Sequence, residues 1–244
     1  PPKQPAASQY NLTVQFTDSK LGVSHTTTTT KDSVISYTGT GTGGSTSASV
    51  LIIDDSGSMG GTKMSDAKKA AKEYVALLSD SDKAAISRFD SGASTAFRLS
   101  LVKSNRSGMR TSVDSLNAGG GTDIGEGLNV GYTEISKANT STPKAAILLT
   151  DGRDGFGGPA PRNADDQYAN ADIPVYTIAL GSRADEALLK DIANDTSGEF
   201  KAAPTSAALS DIYADLGQTV TGSSTIASTS GSVSANSQAT QTFN

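Results

Sequence analysis

Apolar positions along this chain follow two rhythms. Tyr10, Leu12, Val14 and Phe16 alternate with polar residues, the spacing of a strand with one buried face. Residues 34–37 (VISY) read as a second short strand. The Thr26 to Thr30 run and residues 39–47 read by composition as loop or linker. From residue 48 the pattern changes. Residues 49–54 (SVLIID) form an unbroken apolar run closed by a carboxylate, as expected of a strand buried on both faces. Met64, Ala67, Ala71, Tyr74, Val75 and Leu78 then recur at helical spacing across 63–78. Residues 84–89 and 96–101 read as a hairpin, 105–116 as a helix broken by Gly119, Gly120 and Gly121, and 124–137 as a further helix. Residues 144–150 (KAAILLT) form another buried strand that leads into a carboxylate, Asp151. Helices over 163–171, 185–195 and 206–216, with strands over 174–180 and 199–202, complete the series.

Strands alternating with helices across 48–218 predict an α/β fold, a mostly parallel sheet with helices on both faces. The expected domains are a lead, β-segment and linker over 1–47, the α/β domain over 48–218, and the start of a further β-region over 219–244. The first strand starts and the last helix ends opposite the expected ligand face. On that ground the two flanks, 9–38 and 220–244, are expected to meet as one small β-unit.

Composition narrows the chemistry. Apolar residues make up 35% and aromatics 5% of 244 residues, which suits a modest core with polar flanks. A formal charge of −5 argues against nucleic acid as a partner. The absence of cysteine removes disulfides, zinc–thiolate sites and cysteine catalysis. The single histidine, His25, lies far in sequence from other candidate groups and reads as a solvated loop residue. No run approaches the roughly 18 apolar residues of a membrane span. The opening Pro-Pro-Lys-Gln-Pro has neither an initiator Met nor a signal-like segment, as expected of an excised fragment. Sequons begin at Asn11, Asn105, Asn139 and Asn194; with the Ser/Thr-rich ends they point to an extracellular or cell-surface setting.

Three segments carry candidate chemistry. Asp54-Asp55-Ser56-Gly57-Ser58 directly follows a buried strand. Gly120-Gly121-Thr122-Asp123 sits between a turn and a helix. Thr150-Asp151-Gly152 closes a second buried strand. Each alone has an ordinary reading: an Asx-capped turn, a helix N-cap, and a strand ending. Together they place Asp54 and Asp151 at C-terminal strand ends, where open α/β sheets bind ligands. Two carboxylates and the hydroxyls of Ser56, Ser58 and Thr122 supply oxygen donors alone. Such a set selects a divalent cation of the hard class, Mg²⁺ first and Ca²⁺ or Mn²⁺ next, over zinc or copper. Neutral hydroxyls leave the ion more of its charge. Five groups, some acting through water, leave a coordination position open to an external carboxylate. In the metal-free site Asp54 and Asp151 repel.

The stretches LIIDDSGSM, GGGTDIGEGL and ILLTDGRD resemble those of the von Willebrand factor A-type (vWA) family, over about residues 48–218. The resemblance implies a six-stranded sheet in the order 3-2-1-4-5-6 with one antiparallel edge strand. It also implies a complete metal-ion-dependent adhesion site at Asp54, Ser56, Ser58, Thr122 and Asp151. The flanks are similar to those of calcium-activated chloride channel regulator-like and microbial surface proteins. The implied function is a cation-dependent protein-binding or adhesion module whose partner offers an Asp or Glu carboxylate. The alternative is an assembly domain whose metal site engages a neighbouring subunit or domain; a metal serving stability alone is a third reading. Catalysis is disfavoured: a haloacid-dehalogenase phosphatase needs a second Asp where Ser56 stands, and neither a Gly-x-Ser-x-Gly elbow nor a phosphate loop occurs. Phe156 reads either as an exposed anchor at the rim of the site or as a side chain folded onto the domain.

Overall fold

The computed structural model of the chain describes residues 11–18, 23–30, 46–155 and 158–221. Strands β1 (Asn11–Asp18) and β2 (Val23–Thr30) form an antiparallel pair, with Asn11 opposite Thr30 and Phe16 opposite His25. The threonine run and His25 are therefore strand, not loop. Composition misled here because threonine, although polar, is β-branched and suits a pleated backbone when a partner strand is present. The strand expected over 34–37, Tyr10, Phe156 and residues 222–244 lie outside the described residues.

The second unit begins with β3 (Ala48–Asp54), followed by α1 (Thr62–Leu77), β4 (Lys83–Phe89) and β5 (Ala93–Leu101). Helices α2 (Val102–Asp114) and α3 (Ile124–Ile135) precede β6 (Lys144–Thr150). Then come α4 (Pro161–Ala164), α5 (Asp166–Asn170), β7 (Val175–Leu180), α6 (Glu186–Asp195), β8 (Phe200–Ala203) and α7 (Ser206–Thr221). The six-stranded sheet runs β5-β4-β3-β6-β7-β8, which is 3-2-1-4-5-6 when its own strands are numbered in chain order. Only the β4–β5 pairing is antiparallel, so β5 is the antiparallel edge. Helix α7 runs on to Thr221, past the domain end expected at 218; of the β-region expected over 219–244, residues 222–244 lie outside the described residues.

Successive residues of β3 point to opposite faces and so feed two cores. Leu51 and Ile53 pack with Tyr74 of α1, Met109 of α2 and Tyr213 of α7. Val50 and Ile52 pack with Leu128 of α3, Tyr168 of α5 and Ile192 of α6. Burial on both faces is the physical reason that β3 and β6 read as continuous apolar runs. No helix among the described residues is long and apolar enough to cross a membrane.

The helix expected over 163–171 is broken into α4 and α5 at Asp165. That residue is 1% exposed, and its Oδ2 has no hydrogen-bond partner among the described residues. Burial, with the charges of Asp195 and Asp166 adding, pushes its carboxyl from 3.8 up to about 6. The folded form therefore holds the proton more tightly than the unfolded chain, and the group costs stability as pH rises from about 4 through about 6. Asp165→Asn is expected to raise the melting temperature at pH 8 by roughly 2–4 °C, on the order of 1 kcal/mol. The gain should vanish in melts at pH 4. An equal gain at both values would refute the electrostatic cause.

Candidate metal centre

Asp54 ends β3, and Asp151 follows directly on β6. The two strands pair in parallel with Ile53 opposite Leu149, so both carboxylates leave the sheet side by side. The chain runs from β3 outward to β4 and from β6 outward to β7, which makes this the switch point of the strand order.

A continuous line of hydrogen bonds joins the two acids. Thr150 Oγ1 donates to Asp54 Oδ2 at 2.5 Å, and the Ser56 backbone N–H donates to Asp54 Oδ1 at 2.8 Å. Ser56 Oγ and Ser58 Oγ lie 3.1 Å apart, and Ser58 Oγ donates to Asp151 Oδ1 at 2.6 Å. On the far side, the Lys63 ammonium donates to Asp151 Oδ2 in an ion pair. Asp54, Ser56 and Asp151 are buried, whereas Ser58 is half-buried.

The glycine-rich turn closes the third side. Gly120 adopts a φ of +71°, a left-handed conformation that L side chains rarely take, and a Cβ there would lie 2.9 Å from Ser91 Oγ. This bend lets the Gly120 carbonyl accept from the Gly57 N–H at 3.1 Å, while the Gly119 N–H donates to the Asp55 carbonyl at 2.8 Å. Half-buried Thr122 is thereby set against the residue after Asp151: a Cβ on Gly152 would stand 3.0 Å from Thr122 Oγ1. The structure thus brings all five expected residues to one end of β3 and β6. The ordinary readings hold at the same positions. Asp54 caps the Ser56 turn, and Asp123 is the N-cap of α3, accepting from the Glu126 N–H at 2.9 Å.

Two participants had no role assigned from the sequence. Thr150 lies within the third motif, but hydroxyls at strand ends are common and its reach to Asp54 depends on strand pairing. Lys63 lies in the first turn of α1, off the apolar stripe, where a lysine ordinarily means a solvated face.

Burial is the main cause that raises the Asp54 carboxyl, and the charge of Asp151 adds to it; hydrogen bonds from Thr150 and Ser56 oppose the rise. Burial likewise pushes Asp55 up to about 6, with Arg88 opposing. Arg88 Nη1 bridges Asp55 at 3.2 Å and Asp90 at 2.8 Å, so Asp55 already has a counter-charge of its own. Asp154 Oδ1 accepts from the Ile124 N–H at 2.9 Å, tying the loop after Asp151 to the start of α3.

The donor set fits a hard divalent cation. Among the described residues no three His, Asp or Glu groups converge. Coordination here would therefore depend on hydroxyl oxygens beside two carboxylates, with Ser58 and Thr122 on the half-buried, outward side. The Lys63 ammonium is a stand-in cation already held by Asp151.

A family model described as the von Willebrand factor type A domain matches residues 50–215. Calcium-activated chloride channel regulator 3A-1 of Mus musculus is 30% identical over 190 residues, covering 75% of this chain and 19% of that protein. A solved structure of a von Willebrand factor type A protein from Catenulispora acidiphila is 28% identical with a TM-score of 0.69, covering 73% of this chain and 43% of that one. Proximal thread matrix protein 1 from the mussel byssus, solved with a zinc-occupied MIDAS motif, is 21% identical with a TM-score of 0.62 over 72% of this chain and 46% of its own. The chain spans 36% or less of the length of the curated relatives it matches.

Proposed function

Because this chain belongs to the von Willebrand factor type A domain family, whose members typically mediate protein–protein interaction and adhesion, we propose that it is a divalent-cation-dependent protein-binding module. In this reading Asp54, Ser56, Ser58, Thr122 and Asp151 hold the ion. The observation that carries it is the line of hydrogen bonds from Thr150 through Asp54, Ser56 and Ser58 to Asp151 at the switch point of the sheet. When bound, the ion supplies an electrophilic position for an external carboxylate. The chain's own residues do the rest. Asp54 and Asp151 provide the charge, and buried Ser56 orients the first motif. Half-buried Ser58 and Thr122 leave the outward side accessible.

Mg²⁺ is the proposed native ion, with Ca²⁺ or Mn²⁺ next, because oxygen donors favour hard cations over zinc. The zinc in the byssus protein belongs to that protein. The proposed partner is a protein presenting an Asp or Glu side chain, and the proposed setting is extracellular or at the cell surface. No catalytic residue is assigned.

The test is an amide NMR titration with a short Glu-containing peptide, run with Mg²⁺, with EDTA, and with the matched Gln peptide. Shifts centred on Ser58 and Thr122 are expected with Mg²⁺ and the Glu peptide alone. Shifts from Mg²⁺ with none from the Glu peptide would leave the ion a purely stabilising role and overturn the binding-module reading.

A further inference from the structure

Lys63 ends its side chain on a candidate metal ligand, although nothing in the metal-binding reading requires a lysine there. Its ammonium pairs with Asp151 Oδ2, on the opposite oxygen from Ser58. The Asp151 side chain is 0% exposed and that of Lys63 29% exposed, so the acid is enclosed while the lysine retains a path to solvent. Its aliphatic stem passes Gly181 at the end of β7, where a Cβ would meet Lys63 Cε at 4.0 Å.

Position makes this pairing unusual. Lys63 lies in the first turn of the 16-residue helix α1, and that turn contains no acidic residue. The N-terminal end of a helix carries partial positive charge and disfavours a cation. A lysine there is held by what it pairs with, and here its ammonium pairs with Asp151. Asp54 lies beside Asp151, and the ammonium is placed on Asp151.

We propose that Lys63 is a built-in competitor of the metal: its ammonium neutralises Asp151 in the metal-free domain and must swing out to solvent when a divalent cation binds. The inference rests on the metal-binding reading above. It gives the domain two charge-balanced states and sets the cation affinity below what the oxygen ligands alone would produce. The helix terminus weakens the hold of Lys63, which favours its release once a doubly charged ion competes. Asp151 keeps a counter-charge in either state.

The experiment is calorimetric titration of the chelated protein with Mg²⁺ and with Mn²⁺, on the wild type, Lys63→Met and Lys63→Arg, together with melts of each chelated form. Lys63→Met preserves the stem and removes the charge. It is expected to tighten cation binding about five- to tenfold, while lowering the melting temperature of the chelated protein because Asp151 loses its counter-ion. Lys63→Arg is expected to bind the cation no more tightly than the wild type. If the wild type binds the cation and Lys63→Met binds it equally or more weakly, the competitor role fails and the metal site stands. If no variant binds any cation, both readings fail together. The chelated melt reports directly whether Lys63→Met folds without metal.

Discussion

Asp151→Ala is expected to abolish the rise in melting temperature that millimolar Mg²⁺ produces in the wild type, and Asp54→Ala to do the same. A ligand at a hundred times its dissociation constant stabilises the folded state by about 2.7 kcal/mol, which for a domain of this size is roughly 5–10 °C. The effect is all-or-none because the two acids are the only charged members of the expected set, and no third carboxylate converges with them among the described residues. The chelated variants should separate the two roles of each acid. Removing Asp151 takes away a fully buried charge together with its repulsion of Asp54, at the cost of the Ser58 hydrogen bond and of the ion pair with Lys63, whose ammonium can turn to solvent. Chelated Asp151→Ala is therefore expected to melt within a few degrees of the chelated wild type. A large drop without metal would mean that Asp151 is chiefly a structural anchor. A persistent metal response in either variant would place the ion elsewhere.

Gly125→Ala is expected to be the most damaging single-methyl change near the site. A Cβ at this position, one residue into α3, would lie 1.8 Å from the carbonyl oxygen of Pro159 and 2.8 Å from its carbon. The obstacle is backbone, so no side-chain rotation relieves it. Either α3 or the segment at Pro159 must move, and the Asp154–Ile124 hydrogen bond links the same helix start to the loop after Asp151. Overpacking costs about 1–3 kcal/mol, and a backbone obstacle places this change at the upper end, a loss of roughly 6–12 °C in melting temperature. Thr122 immediately precedes this helix, so cation affinity should fall as well. Unfolding monitored by circular dichroism and calorimetric titration with Mg²⁺ would read the two effects separately. A variant that melts like the wild type would show that the Pro159 segment adjusts freely.

The alternation of buried runs and helical stripes determined the α/β class and nearly every element from β3 to α7. Those elements bury wide apolar faces, and the period of such faces is local information. The D-x-S-x-S turn, the Thr after the glycine turn and the Asp after β6 were legible for a related reason: each is a short segment tied to the end of an element already visible. The failures came where partners outside the local window decide. Thr26 to Thr30 became a strand because Asn11–Asp18 pairs with it. The helix expected over 163–171 broke at Asp165, a buried acid that the apolar spacing cannot reveal. Helix α7 ran on to Thr221, beyond the end expected at 216 and into residues whose composition suggested the start of a β-region.

Inside the candidate site the same division holds. Residue types and their order sufficed to nominate Asp54, Ser56, Ser58, Thr122 and Asp151, because oxygen chemistry is written in the side chains themselves. That Thr150 donates to Asp54 from the neighbouring strand, and that the ammonium of Lys63 lands on Asp151, 88 residues away, required the tertiary structure. Hydrogen bonds and ion pairs depend on ångström-scale distances between groups remote in the chain. Only the pairing of β3 with β6 and the seat of α1 beside them bring those groups within reach.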